Sequence, residues 1–97
     1  MRGDTIILID IDILGRLRIF PEKEKFTLIW RSATEVHWDK EGFLYSPQPR
    51  EWSYFDWFKY IVTTINSETS IKLLITKKTC FHNITDSLRQ QILEFDQ

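Results

Sequence analysis

The stretch Ile9-Asp10-Ile11-Asp12-Ile13-Leu14-Gly15-Arg16-Leu17-Arg18-Ile19 admits one antiparallel register that satisfies turn, charge and hydrophobic requirements together. Pairing Asp12 with Arg16 leaves Ile13, Leu14 and Gly15 as a three-residue loop, with glycine where the backbone must turn left-handed. The same register sets Asp10 opposite Arg18 and places Ile11 against Leu17 and Ile9 against Ile19. One face of the ribbon is then ion-paired and the other aliphatic, the pattern of a hairpin lying on a core. A chain that opens this way is committed to a sheet, and the rest of the sequence must supply the layer that covers it.

Strand-like segments continue to about residue 50. Residues 5–12, 16–20, 26–31, 35–38 and 43–45 are rich in Ile, Val, Thr and aromatics and are separated by turn signals, which predicts five strands in a meander. Asp39-Lys40-Glu41-Gly42, taken as a four-residue loop, puts Val36, Trp38, Phe43 and Tyr45 on one face and Glu35, His37 and Asp39 on the other. Ser46-Pro47-Gln48-Pro49 cannot extend a ladder and reads as a crossover. Beyond it the period changes from two to about 3.6. Ser53 and Asp56 fit a helix cap with a reciprocal acid, flanked by Trp52 and Trp57 at the positions of a hydrophobic staple. Tyr54, Phe55, Phe58, Ile61, Val62 and Ile65 make the buried stripe, and Asn66-Ser67 is expected to end the helix. Residues 71–76 read as a buried strand pairing parallel beside the first, and Asn83 with Asp86 is expected to cap a last helix striped by Ile84, Leu88, Ile92 and Phe95. The predicted fold is α+β: a two-layer sandwich with a mainly antiparallel sheet, two helices on one face, and a single domain over residues 1–97.

Thirteen Lys and Arg against fourteen Asp and Glu leave a formal charge of -1, so there is no positive field to gather phosphates and no nucleic-acid partner is expected. No apolar run approaches the roughly 20 residues of a membrane span, and the early acidic residue Asp4 interrupts any signal-peptide pattern. Cys80 is the one cysteine, which excludes an intramolecular disulfide and fits a reducing compartment. A cytoplasmic protein is the expectation.

Candidate chemistry is sparse. Ile6-Ile7-Leu8-Ile9-Asp10-Ile11-Asp12 looks like the opening strand of haloacid-dehalogenase-type phosphotransferases, whose paired aspartates would imply a nucleophile and an acid/base. Leu14, however, stands where those enzymes carry a small hydroxyl residue, and cross-strand pairs with Arg18 and Arg16 account for both carboxylates. Cys80, His82 and His37 complete the inventory of thiol and imidazole, too few for a zinc site without carboxylates, so neither metal nor cofactor is expected. His37 between Glu35 and Asp39 reads chiefly as a solvated sheet face.

Aromatic residues carry the strongest signal. They make up 14% of the chain, with four Trp, and concentrate in Trp52-Ser53-Tyr54-Phe55-Asp56-Trp57-Phe58-Lys59-Tyr60. Tyr60 falls about 150° from the centre of the helix stripe, where a folded single chain has no use for its ring. Trp52, Trp57 and Tyr60, with Trp38, Tyr45 and His37 at the sheet end, are therefore the candidate interaction or ligand-binding residues.

The segment EVHWDKEGFLYSPQPREWSYFDWF, residues 35–58, resembles small uncharacterised bacterial proteins carried as integron gene cassettes. That resemblance implies a bacterial, mobile-gene setting and assigns no functional residues. Surplus aromatics without a catalytic constellation predict a non-enzymatic interaction module, a homodimer or an adaptor or immunity-like partner of another protein. The alternative is a small-molecule-binding module with an aromatic pocket between the helix start and Trp38/Tyr45.

Overall fold

The structure, a computed structural model, describes residues 2–95. Residues 1, 96 and 97 of the expected domain lie outside that range. The fold is α+β, and the described residues form six strands and two α-helices around one core. Strand β1 (Arg2–Ile11) turns into β2 (Leu17–Pro21) in the expected register, Asp10 opposite Arg18 and Ile9 opposite Ile19. The amide of Asp12 donates to the Arg16 carbonyl at 3.0 Å, and Gly15 closes the turn at φ +78°. A bulge between Ile6 and Leu8 shifts the alternation of β1, so that Ile6 and Ile9, three apart, are both fully buried.

After β2, the chain forms β3 (His37–Asp39), β4 (Phe43–Tyr45), α1 (Tyr54–Thr69), β5 (Ile71–Leu74), β6 (Cys80–His82) and α2 (Asp86–Glu94). The sheet order is β3-β4-β2-β1-β5. Strand β5 runs parallel to residues 2–5 of β1, as expected, and β6, a strand beyond those expected, runs parallel to residues 8–10 on the same edge. Between them the Thr79 hydroxyl donates to the Ile6 carbonyl, which neither strand reaches.

The five-strand meander is corrected at its third member. Residues 26–31 are turns ending in a short 3₁₀ helix, Ile29–Arg31, so four strands precede α1, and β2 pairs directly with β4. The buried residues Phe26, Ile29, Ala33 and Val36 are spaced by three, four and three, which suits turns that bring one side onto a core better than a pleated strand. The β3–β4 register is corrected as well. Asp39 pairs with Phe43, leaving a three-residue loop in which Gly42 has φ +104°. That one-residue difference puts His37, Asp39, Phe43 and Tyr45 on one face and Trp38 and Leu44 on the other.

Helix boundaries also move. Helix α1 starts behind Ser53 as expected but runs past Asn66-Ser67, because the left-handed residue that stops it is Ser70, at φ +60°. Helix α2 is capped by Thr85, whose hydroxyl accepts from the Leu88 amide. Asn83 instead donates its amide to the Ile11 carbonyl at 2.8 Å.

Ile61, Val62 and Ile65 of α1 and Ile92 of α2 are fully buried and share the core with Ile9, Leu17, Ile19 and Leu44. Across the sheet, the Arg18 guanidinium lies 5.4 Å from the Phe20 ring and 5.1 Å from that of Phe43, and Arg16 sits 4.5 Å over Tyr45. Asp10 anchors Arg18 with a 2.7 Å bond to Nε. The expected ion pairs thus also roof an aromatic row, which keeps Phe43 buried on the face opposite the core.

Candidate functional site

The candidate site forms where the crossover enters α1. The Ser53 hydroxyl accepts from the Asp56 amide at 3.1 Å, and the Asp56 carboxylate accepts from the Ser53 amide at 3.0 Å. That backbone bond from Ser53, ahead of the nearby Lys59 charge, holds the Asp56 carboxyl below its ordinary range. The reciprocal cap fixes the entry angle of the chain, and Trp52 meets Trp57 at 4.8 Å between ring centroids. Tyr60, one turn on, stands edge-on to Trp52 at 5.2 Å and to Trp57 at 5.9 Å. Its hydroxyl accepts from the Thr34 amide at 2.7 Å, tying α1 to the turn before β3.

These rings line one side of an open groove of about 590 Å³, whose other walls come from Thr34, Glu35, Gln48, Arg50 and Glu51. That volume lies within the roughly 300–1,000 Å³ of small-ligand sites. The Arg50 guanidinium pairs with the Glu35 carboxylate at 3.1 Å, both side chains being well exposed. Glu51 makes no ion pair among the described residues.

Two features of this wall work against stability. Glu35 lies in the left-handed region at φ +66°, which costs a residue with a Cβ about 1–2 kcal/mol. Trp57 is 7% exposed, and its indole N–H has no acceptor among the described residues, a deficit on the order of 1–3 kcal/mol. An exposed ion pair such as Glu35–Arg50 returns little of this. Departures of this kind gather where a surface is shaped for a ligand.

Of the residues singled out from the sequence, Trp52, Trp57 and Tyr60 come together here. Trp38, Tyr45 and His37 do not join them. Trp38 packs on the core side, edge-on to Phe26 at 5.9 Å, whereas Tyr45 and His37 pair on the opposite face with centroids 5.5 Å apart. The expected row of Glu35, His37 and Asp39 is also broken, because Glu35 precedes β3 in its left-handed conformation. The premise that the folded chain has no use for Tyr60 does not hold, since its ring and hydroxyl both find partners in their own chain.

Elsewhere the candidate chemistry is structurally occupied. The Asp12 carboxylate accepts from the Leu14 and Arg16 amides and from the Arg16 guanidinium. Burial pushes its pKa up, but the Arg16 bonds and charge outweigh this and leave it below the ordinary aspartate value. Burial, with the Asp12 charge, pushes Tyr54 up, and its hydroxyl donates to the Gly15 carbonyl at 2.8 Å. Cys80 and His82 lie exposed at alternate positions of β6, and among the described residues no three His, Cys, Asp or Glu side chains cluster as metal ligands.

The fold and site together define a small α+β domain bearing an open groove walled by aromatic rings and carboxylates. The sequence model described as Integron Cassette Protein Hfx_Cass5 matches residues 4–79, and the chain belongs to that integron cassette family. It is also similar to the solved structure of the integron cassette protein Hfx_Cass5 from the mobile metagenome of North West Arm Sewage Outfall. The two are 35% identical over 95% of this chain and 93% of that one, with a TM-score of 0.49. No curated protein matches the chain. Among the described residues, no helix is long and apolar enough to cross a membrane.

Proposed function

We propose that this protein is a non-enzymatic binding module and that the groove at the start of α1 receives a small molecule. The observation that carries this reading is the coincidence, in one wall, of the left-handed Glu35 and the buried, unpartnered Trp57 N–H. Glu35 and Trp57 both line the same concave surface, where a backbone outlier and an unsatisfied donor support a ligand role. The exposed, free Cys80 supports a reducing, cytoplasmic setting.

The test is a fragment screen monitored by amide and indole N–H resonances. Binders are expected to shift the indole signals of Trp52 and Trp57 and the amides of Thr34 and Glu35, and Trp52→Ala is expected to abolish those shifts. A screen whose hits map elsewhere, or that yields none, overturns the reading.

A second reading, contact with another protein or a second copy of the chain, is favoured by Leu28 and Trp30, both 54% exposed, one capping the 3₁₀ turn and the other within it. Sedimentation at rising concentration tests self-association. A dimer that Trp30→Ala dissociates would support it, and a monomer throughout would remove the second copy as partner.

A further inference from the structure

We infer that the groove's ligand is a small organic cation, an ammonium whose head sits against the Trp52 and Tyr60 rings and takes its counter-charge from Glu35 and Glu51. This rests on the groove reading above and adds the chemical class; the Trp57 N–H only donates, so the ligand also carries an oxygen acceptor, as the hydroxyl of choline does. The charged side chains lining the groove are Glu35, Glu51 and Arg50, a balance of two negative charges to one positive. The aromatic faces add negative quadrupole potential on the same side. Trp52 is 43% exposed, so its indole is reachable without unfolding any element.

Arg50 is the internal competitor. It reaches Glu35 with one terminal nitrogen at 3.1 Å, and its side chain is 75% exposed, so it is held at one point and can swing into water when another cation arrives. An anion meets the opposite situation, gaining Arg50 while facing two carboxylates. Just outside the wall, Lys59 is matched by Asp56 at 3.8 Å and adds no net positive charge. Arg50, held at one point on a carboxylate that lines the same groove as Trp52 and Tyr60, therefore competes for the counter-charge that a ligand ammonium would take.

The experiment compares three probes of one shape and different charge: choline, neutral 3,3-dimethylbutanol and anionic 3,3-dimethylbutanoate, titrated at matched ionic strength against the indole N–H resonances. Choline is expected to bind roughly tenfold more tightly than the alcohol, and the carboxylate more weakly still. Glu51→Gln and Glu35→Gln should each weaken choline by about three- to tenfold and leave the alcohol unchanged, with urea melts confirming that both variants fold. Arg50→Gln should act in the opposite direction, tightening choline and weakening the carboxylate. Equal binding of choline and the alcohol, preference for the carboxylate, or loss of choline affinity in Arg50→Gln overturns the cation assignment. Those outcomes leave the groove reading standing as long as shifts map to Trp52. If no probe shifts Trp52, the cation assignment falls, and the fragment screen decides separately whether the groove falls with it.

Discussion

Glu35→Gly separates what the backbone costs at the groove from what the side chain contributes. In the left-handed region a glycine avoids a penalty of about 1–2 kcal/mol that any residue with a Cβ incurs. Against that gain stand the wider conformational freedom of glycine in the unfolded chain, about 0.4–1 kcal/mol, and the lost Arg50 pair, at most about 0.5 kcal/mol because both partners are exposed. The net expectation runs from about 0.5 kcal/mol less stable than the parent to about 1.5 kcal/mol more stable, at the upper end a rise in melting temperature of roughly 6–12 °C for a chain of this size. Glu35→Ala is the control, since it removes the same carboxylate but keeps the Cβ. It should be less stable than the glycine variant by about 1 kcal/mol in urea denaturation at unchanged m-value. Both variants should lose affinity for choline. If Glu35→Gly were instead destabilised by more than about 1 kcal/mol, the carboxylate would be a structural element, and its strain would no longer point to a ligand.

Other substitutions check the scaffold. Asp12→Asn should cost about 1 kcal/mol in urea at neutral pH, because the amide oxygen still accepts from the Leu14 and Arg16 amides and only the charged bond to the Arg16 guanidinium is lost. Its folded-state pKa lies below the unfolded value of about 3.9, so this stability is present above that pH and is lost as pH falls through the folded value; a cost undiminished at pH about 3 would contradict the account. Ser53→Ala should cost about 1 kcal/mol by thermal unfolding, through loss of the Asp56 amide's acceptor. Gly42→Ala should cost about 1 kcal/mol in urea, a purely backbone effect because a Cβ there meets nothing within 4 Å.

What could be read from the sequence was local. The first hairpin declares itself within nine residues, 10–18, because turn, charge pairs and aliphatic face are encoded side by side. The start of α1 is equally local, and so the wheel and cap brought out Trp52, Trp57 and Tyr60. The second hairpin was legible but misread. Asp39-Lys40-Glu41-Gly42 repeats the Asp-x-x-Gly signature of Asp12-Ile13-Leu14-Gly15, and the same aspartate-to-second-amide bond recurs in both turns. Closing it as a three-residue loop like the first would have separated Trp38 from Tyr45. Residues 26–36 were obscured by strand-forming composition, although the spacing of Phe26, Ile29, Ala33 and Val36 carried the sign of turns. The remaining groove wall was not accessible in this way. Arg50 and Glu51 precede Trp52 in the chain, but Thr34 and Glu35 meet the rings only through the tertiary fold, and nothing about a glutamate announces a positive φ.

The placement of β1 bears on how the chain assembles during synthesis. Strand β1 is interior, yet its parallel partners begin at Ile71 and end at His82, so one edge of this ten-residue strand must wait until a partner about 60 residues further along the chain has been synthesised. The hairpin with β2 can close early, since its determinants are close in sequence, but the other edge remains a template for any passing strand in the interval. Asp4 and Asp10 stand along that waiting edge, and in the finished protein both are buried, Asp4 accepting from the amides of Lys23 and Glu24 and Asp10 from Arg18. Their charges deter intermolecular pairing in the nascent chain, and the partners that make them tolerable in the folded state arise from residues 18–24, which emerge next. Substituting either by an apolar residue would leave the nascent edge unguarded, so aggregation during expression is where its loss would first be felt.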